Sequence, residues 1–152
     1  MSDGTISTQR LGPSDIEALA QMNALFAAAF EDAQTYGAKP SGAGYVARIL
    51  AQDHVIALVA RRGATLVGGL VAYRLDKLEQ DRSEIYIYDL AVAEPARRQG
   101  VATALIEAVR TIARDCGAWV IYVQADLGDD PAIALYTKLG QREDVLHFDI
   151  TP

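Results

Sequence analysis

A short polar stretch in the second half of the chain joins two arginines and a glycine to a helical pattern. Arg97 and Arg98 precede Gly100, and helix-spaced apolar residues follow from Ala102 onward. Glycine lets backbone amides approach an anion closely, and a helix N-terminus offers unpaired N–H donors at the positive end of its dipole. Arginine adds charge-assisted hydrogen bonds to phosphate oxygens. The stretch therefore favours a phosphate-binding loop. The alternative is an ordinary helix start with two solvated arginines.

Carboxylates are the second group of side chains with chemical potential. Asp89 lies inside an apolar strand pattern, whereas the others lie in polar segments near the C-terminus: Asp126, Asp129, Asp130, Glu143 and Asp149. A carboxylate anchors an ammonium group or accepts a proton from it. Either aspartate of the 129–130 pair, just before Pro131, is alternatively a helix N-cap. The net charge of −6 and pI near 4.8 suit a cationic substrate and argue against a nucleic-acid partner.

Length and composition predict one globular domain over residues 1–152. The chain has 152 residues, of which 51% are hydrophobic and 22% charged, as in water-soluble domains. It has no apolar run long enough to cross a bilayer and no secretion-signal pattern, so we expect a cytoplasmic protein without a membrane partner. One cysteine and two histidines offer no metal-ligand spacing, so no metal is predicted.

Hydrophobic periodicity predicts the elements that must position these groups. Strands are predicted over 5–11, 54–62, 65–75, 84–92, 119–123 and 145–150, and helices from about 14 and over 42–51, 98–115 and 131–139. Residues 31–40 are predicted to be a loop. In the 98–115 helix the predicted buried stripe is Ala102, Leu105, Ile106, Val109 and Ile112. This order places Asp89 in a central strand and Gly100 at the start of the longest helix.

The pattern Arg97-x-x-Gly100-x-Ala102 resembles the acetyl-CoA pyrophosphate loop of the GNAT superfamily of N-acetyltransferases, and the order of elements matches that superfamily. The resemblance implies an α/β (α+β) fold. Its mixed, mostly antiparallel sheet of six to seven strands is splayed at the central strands and flanked by about four helices. Acetyl-CoA is the implied cosubstrate. The implied cofactor contacts are Leu90, Ala91, Val92, Arg97, Arg98, Gln99, Gly100, Val101, Ala102, Thr103 and Tyr136.

A second superfamily element lies near the C-terminus. Asp129, Ala132, Tyr136 and Gly140 resemble the family stretch Asn-x-x-Ala-x-x-x-Tyr-x-x-x-Gly-Phe, with aspartate in place of asparagine and Gln141 in place of phenylalanine. The resemblance implies that Tyr136 protonates the departing thiolate. The alternative is a tyrosine that only packs against the sheet.

Four further segments resemble the aminoglycoside 3-N-acetyltransferases of the gentamicin-resistance type: residues 10–13, 82–92, 122–132 and 147–150. This resemblance implies acetylation of the 3-amino group of a 2-deoxystreptamine ring, antibiotic resistance, a bacterial cytoplasmic location and a homodimer. An aminoglycoside is a polycation, so acidic residues suit its site. The expected substrate contacts are Tyr88, Asp89, Asp126, Asp129, Asp130, Glu143 and Asp149.

The role of Asp89 has two readings. It is either the base that deprotonates the amine or the anchor of an ammonium group, since a carboxylate with a low pKa is a weak base. Two other functions stay open. One is acetylation of another amine, such as a polyamine or a peptide N-terminus, and the other is a non-catalytic acetyl-CoA-binding module. The sequence does not rank individual aminoglycosides.

Overall fold

The computed structural model describes residues 4–152. The chain forms two compact units, one running to Tyr122 and one spanning Val123–Pro152. The first contains β1 (Ile6–Arg10), α1 (Ile16–Ala29), α2 (Ala33–Tyr36), α3 (Ala43–Leu50), β2 (Val55–Arg62), β3 (Thr65–Asp76), β4 (Ser83–Val92), a 3₁₀ turn (Glu94–Ala96), α4 (Val101–Cys116) and β5 (Ala118–Val123), whose last residue begins the second unit. The second contains α5 (Asp130–Leu139).

Within residues 4–152 the sheet has five strands in the order β1-β2-β3-β4-β5. The three pairs from β1 to β4 are antiparallel. Helix α4 connects β4 to its neighbour β5, the crossover that parallel strands require. The predicted α/β class is confirmed as a mixed sheet with flanking helices. The described part of the chain has five strands rather than six to seven and five helices rather than about four.

Two consecutive glycines in β3 let helices approach both faces of the sheet. A Cβ at Gly68 would lie 2.7 Å from Val101 Cγ1 of α4, and one at Gly69 would lie 2.5 Å from Met22 Cγ of α1. Successive strand residues point to opposite faces. Helices α1 and α4 therefore cover opposite faces of β3 at the same height, and each needs a residue without a side chain beneath it.

A buried core fills each side of the sheet in the first unit. On the α1 side Met22 and Phe26 are fully buried among residues of α3, β2 and β4. On the α4 side Leu105, Ile106 and Val109 are buried as predicted. The predicted Ala102 and Ile112 are only partly buried, and Val101 and Ala113 complete the stripe instead. The reason is that α4 begins at Val101, which packs over Gly68.

Two of the predicted elements are wrong. The strand predicted over 145–150 does not form. A strand requires a hydrogen-bonded neighbour, and no pairing is found for this segment within residues 4–152. Its Phe148 and Ile150 are 75% and 90% exposed. The loop predicted over 31–40 contains α2, whose first turn is capped by Asp32 accepting a hydrogen bond from Thr35 N at 3.0 Å.

Candidate functional site

A β-bulge in β4 sets the direction of Asp89. Asp89 lies opposite Val71, but Ile87 lies opposite Ala72, so the ladder skips Tyr88. Residues directly opposite in an antiparallel pair point to the same face, and Val71 and Ala72 point to opposite faces. Asp89 and Ile87 therefore face opposite sides although they are two residues apart. The bulge sends Asp89 to the α1 side of the sheet, away from α4.

The carboxylate of Asp89 is held by a tyrosine of α2. The hydroxyl of Tyr36 donates a 2.6 Å hydrogen bond to Asp89 Oδ1. The ring of Tyr36 packs edge-on against Phe26, with centroids 5.7 Å apart, and tilted against Phe30 at 5.5 Å. The aromatic contacts with α1 thus fix the ring, and the ring fixes the hydroxyl.

Partial burial sets the electrostatics of this pair. Burial raises the pKa of the Asp89 carboxyl above its ordinary value, and the hydrogen bond from Tyr36 opposes that rise. Burial and the hydrogen bond to Asp89 raise the pKa of Tyr36 well above its ordinary value. The proton therefore stays on Tyr36. An aspartate with a raised pKa is a stronger base than an exposed aspartate. The low pKa of an ordinary carboxylate is therefore a weaker argument against Asp89 as the base.

Four tyrosines form a row beside Asp89, here called the tyrosine row: Tyr73, Tyr86, Tyr88 and Tyr122. Tyr86 stacks on Tyr122 with centroids 4.6 Å apart, and Tyr88 meets the rings of Tyr86 and Tyr73 at 5.7 and 6.1 Å. Tyr88 is 63% exposed. Aromatic faces attract ammonium groups through the ring quadrupole. A half-buried carboxylate beside such a row is suited to a cationic ligand.

The predicted phosphate loop has the backbone geometry of an anion site. After the 3₁₀ turn, Arg98 and Gly100 adopt φ values of +61° and +84°, and α4 begins at Val101. A Cβ at Gly100 would meet no atom within 4 Å, so the space in front of the helix start is open. The first-turn amides of a helix have no intrahelical acceptor. Together these features offer donors at the positive end of the α4 dipole.

Two of the exposed side chains of this loop make hydrogen bonds within its surroundings. Arg97 Nε donates to Val92 O at 3.3 Å, and the Gln99 amide accepts from Arg62 and donates to Pro95 O at 3.1 Å. These two side chains stabilise the loop itself. Arg98 and Thr103 are exposed at the helix start, and Val101 is buried, so Val101 offers only its backbone amide.

The predicted strand contacts lead directly from Asp89 to this loop. Leu90, Ala91 and Val92 pair with Leu70, Gly69 and Gly68. Ala91 is buried on the α1 side, and the Val92 carbonyl accepts the hydrogen bond from Arg97. One strand end therefore joins the half-buried carboxylate, the predicted thioester contacts and the glycine-marked helix start.

The remaining predicted site residues lie in the C-terminal unit. Asp129 is the N-cap of α5 and accepts from Ala132 N at 3.4 Å, so the capping role is present, and Asp130 is the first residue of α5. Asp149 lies 2.9 Å from His147 Nε2. Asp126 and Glu143 are exposed. Burial and Asp129 raise the pKa of Tyr136, which keeps its phenol protonated.

Sequence reasoning missed Tyr36, Tyr73, Tyr86 and Tyr122 as neighbours of the site. The alternation of Tyr86 and Tyr88 in one strand was a usable signal for the tyrosine row. The sequence carries no such signal for Tyr36, because this residue lies in a segment without clear hydrophobic periodicity.

Two absences hold for residues 4–152. No group of three or more His, Cys, Asp or Glu side chains is arranged to hold a metal ion. No helix in that range is both long and apolar enough to cross a membrane.

Two solved structures of similar fold are aminoglycoside acetyltransferases. An aminoglycoside acetyltransferase from an uncultured soil metagenomic sample is 49% identical, with a TM-score of 0.95 over 97% of this chain and 99% of that one. A second soil metagenomic aminoglycoside acetyltransferase, solved in complex with sisomicin, is 30% identical with a TM-score of 0.89, over 97% of this chain and 96% of that one.

Similarity to curated proteins is more distant. An N-alpha-acetyltransferase of Saccharolobus solfataricus is 33% identical over 87 residues, which are 50% of this chain and 52% of that protein. The chain spans about half the length, or less, of the curated relatives that it matches. The model of the acetyltransferase (GNAT) family matches residues 19–141, and the chain belongs to that family.

Proposed function

We propose that this chain transfers the acetyl group of acetyl-CoA to an amino group of an aminoglycoside, at the 3-amino position of the 2-deoxystreptamine ring. The observation that carries the proposal is the half-buried Asp89 beside the tyrosine row, on the strand that leads into the glycine-marked start of α4. The 49% identity to a soil aminoglycoside acetyltransferase supports the substrate class.

The loop before α4 fits the pyrophosphate of acetyl-CoA. Its open space, its two positive-φ residues and the exposed Arg98 suit two linked phosphates. Acetyl-CoA supplies an activated thioester, so a neutral amine needs no covalent enzyme intermediate. The loop then orients the cosubstrate, and those backbone amides of the Leu90 to Val92 stretch that are not bonded to β3 donate to the acetyl carbonyl.

Asp89 acts on the amine. Its carboxylate attracts the substrate ammonium group, and its raised pKa lets it accept the amine proton directly or through water. The tyrosine row surrounds the other faces of the cation. Tyr88, the exposed member of the row, contacts the aminoglycoside.

The C-terminal unit contains the other residues to which the resemblance assigns a role in the reaction. Tyr136, protonated because its pKa is raised, donates a proton to the departing thiolate. Asp126, Asp130, Glu143 and Asp149 attract the other ammonium groups of the substrate. Asp129 combines that charge with its cap of α5.

Two other amines and one other function compete with the proposal. The relative from Saccharolobus is named an N-alpha-acetyltransferase, which makes a peptide N-terminus the second candidate acceptor. A polyamine suits the same acidic side chains. A non-catalytic acetyl-CoA-binding module would need neither Asp89 nor Tyr136.

A thiol-release assay separates these functions. Purified protein with acetyl-CoA is offered gentamicin, sisomicin, spermidine or an unmodified peptide, and kcat/KM is measured for each. The proposal predicts the highest kcat/KM for an aminoglycoside. If only the peptide or only spermidine is acetylated, that amine is the substrate and the aminoglycoside is not. Binding of acetyl-CoA without turnover of any amine would identify a binding module. NMR of the product locates the acetyl group.

Resistance and cytoplasmic action are tested together in cells. Expression in a drug-sensitive bacterium should raise the gentamicin concentration that inhibits growth. The Asp89→Asn variant, expressed to the same level, is the matched control. Equal protection by both proteins, or protection by neither, would contradict the proposed role.

The chain is further proposed to form a homodimer through residues 145–150. Four large apolar side chains in this short segment are exposed: Val145, Leu146, Phe148 and Ile150. Exposed apolar clusters of this kind mark interaction surfaces. Light scattering after gel filtration should give twice the chain mass, and Phe148→Ser should give the monomer. A monomeric parent protein would remove the proposal.

A further inference from the structure

The Tyr36–Asp89 hydrogen bond has a consequence for the reaction that rests on the proposed function. We infer that Tyr36 is a positioning residue for amine acetylation: it holds Asp89 in the orientation that receives the substrate ammonium group. The basis is the 2.6 Å bond from its hydroxyl to Asp89 Oδ1. This bond leaves Oδ2 of the same carboxylate for the substrate.

The ring contacts of Tyr36 supply the rigidity that positioning requires. Phe26 is fully buried in α1, and Phe26, Phe30 and Tyr36 contact one another with centroids between 5.5 and 5.7 Å apart. The short helix α2 is fixed at its start by the Asp32 cap. The hydroxyl is therefore placed by α1 and α2, whereas the carboxylate is placed by the bulge in β4.

A purely structural tyrosine would not need this arrangement. The Phe26–Phe30–Tyr36 contacts use ring faces and edges, which phenylalanine supplies equally well. The hydroxyl adds nothing to them, and it points instead at the half-buried carboxylate of another element. Its specific effect is on the direction and basicity of Asp89.

The groups facing Asp89 make the effect measurable by pH. They are Tyr36 from α2, Tyr73 from β3 and Tyr86 from β4. Tyr88 acts on all three of these tyrosines, Tyr45 of α3 acts on Tyr73, and Asp32 acts on Tyr36. Tyrosines stay neutral through the acidic range. A hydrogen bond to the ionised form of a carboxyl lowers its pKa, so Tyr36→Phe raises the pKa of Asp89.

The test is a double-mutant cycle of Tyr36→Phe and Asp89→Asn. The kcat/KM for sisomicin is measured for each protein at several pH values between about 5.5 and about 9. Tyr36→Phe alone should lower kcat/KM by at least about 10-fold, the lower end of the range for one charge-assisted hydrogen bond. Its acid limb should move to higher pH. In the Asp89→Asn background, Tyr36→Phe should change kcat/KM less than about 2-fold, because neighbouring residues that act as a unit are not additive.

Tyr45→Phe is the matched control for loss of a tyrosine hydroxyl. Tyr45 is half exposed on α3, and its variant should keep the parent pH profile. A ¹³C NMR titration of the Asp89 carboxyl gives a readout that does not depend on the substrate, and Tyr36→Phe should raise the pKa that it reports.

The outcomes separate this inference from the proposed function. An equal loss from Tyr36→Phe in both backgrounds, with no change in the Asp89 titration, overturns the positioning role and leaves the acceptor site intact. Full activity of Asp89→Asn removes the acceptor site itself. A raised Asp89 pKa together with non-additivity supports the inference.

Discussion

Val71 lies directly opposite Asp89 across the β3–β4 pair, and this pairing turns the carboxylate to the α1 side of the sheet. Without the extra residue at the bulge, Asp89 would continue the face of Ile87, which is buried on the α4 side. The register of the β3–β4 pair thus determines the surroundings of the Asp89 carboxylate. With the bulge it lies beside Tyr36 and the tyrosine row, and without the bulge it would point into the apolar core under α4.

The stability of the fold depends on the absence of a side chain at Gly69. Gly69→Ala places a methyl group 2.5 Å from Met22 Cγ and 2.9 Å from its Sδ, so the core must shift. We expect a loss of about 1–3 kcal/mol in the free energy of unfolding. Chemical denaturation measures it.

The same substitution at Gly44 is the matched control. Gly44 lies within α3, where an added Cβ meets nothing within 4 Å. Alanine there should stabilise the protein by roughly 0.5–1 kcal/mol, because glycine is a poor helix residue. Equal effects at the two positions would contradict the account of packing over Gly69.

The anion loop is tested at Gly100. Gly100→Val forces a branched side chain into a φ of +84° and fills the open space before α4. The KM for acetyl-CoA should rise at least about 10-fold, since amide contacts to phosphate are lost. Gly63→Val in the β2–β3 turn, at a φ of +59° with open space, carries similar strain and should leave that KM unchanged. A folded Gly100→Val protein with parent affinity for acetyl-CoA would refute the loop.

Tyr136 is tested as the proton donor. Its pKa is raised by burial and by Asp129, so the phenol stays protonated over the working pH range. Tyr136→Phe should lower kcat by about 10²- to 10⁴-fold and change either KM much less. Steady-state kinetics at several pH values measures the split. A loss confined to KM would assign Tyr136 to packing.

The pKa of Asp89 predicts a pH-dependent stability. Because burial raises this pKa in the folded state, the carboxyl stabilises the fold fully at low pH and loses that contribution as pH rises through its folded pKa. Asp89→Asn never ionises, so its melting temperature should exceed that of the parent at pH 7. The difference should shrink towards pH 3. A lower melting temperature for the variant at pH 7 contradicts this sign.

Much of the fold was predictable because the hydrophobic periods are clean. Helix α4 and strands β2 to β5 follow their patterns to within about three residues. The prediction of a strand over 145–150 was wrong. Alternation of apolar and polar residues indicates a tendency to form a strand, but it does not show that a neighbouring strand is available for pairing. The segment containing α2 lacks a period, so Tyr36 could not be placed from the sequence.

The candidate site was predictable in its residue types more than in its geometry. Asp89 stood out as a carboxylate inside an apolar strand. The direction of its side chain was not predictable. Simple alternation along the strand places Asp89 on the same face as Ile87, and the bulge at Tyr88 turns it to the opposite face. A β-bulge adds one residue to one strand of a pair, and a single amino-acid sequence does not show where such a residue is added.

The central claim is that Asp89 receives the amine of an aminoglycoside. The most direct measurement is the kcat and KM for sisomicin of the parent protein and Asp89→Asn, determined side by side across pH with acetyl-CoA saturating. If Asp89 is the base, kcat should fall and recover as pH rises and the amine deprotonates unaided. If it is the anchor, KM should rise about 10- to 150-fold, the range of a charge-assisted hydrogen bond. Parent values of both constants in Asp89→Asn would contradict the claim.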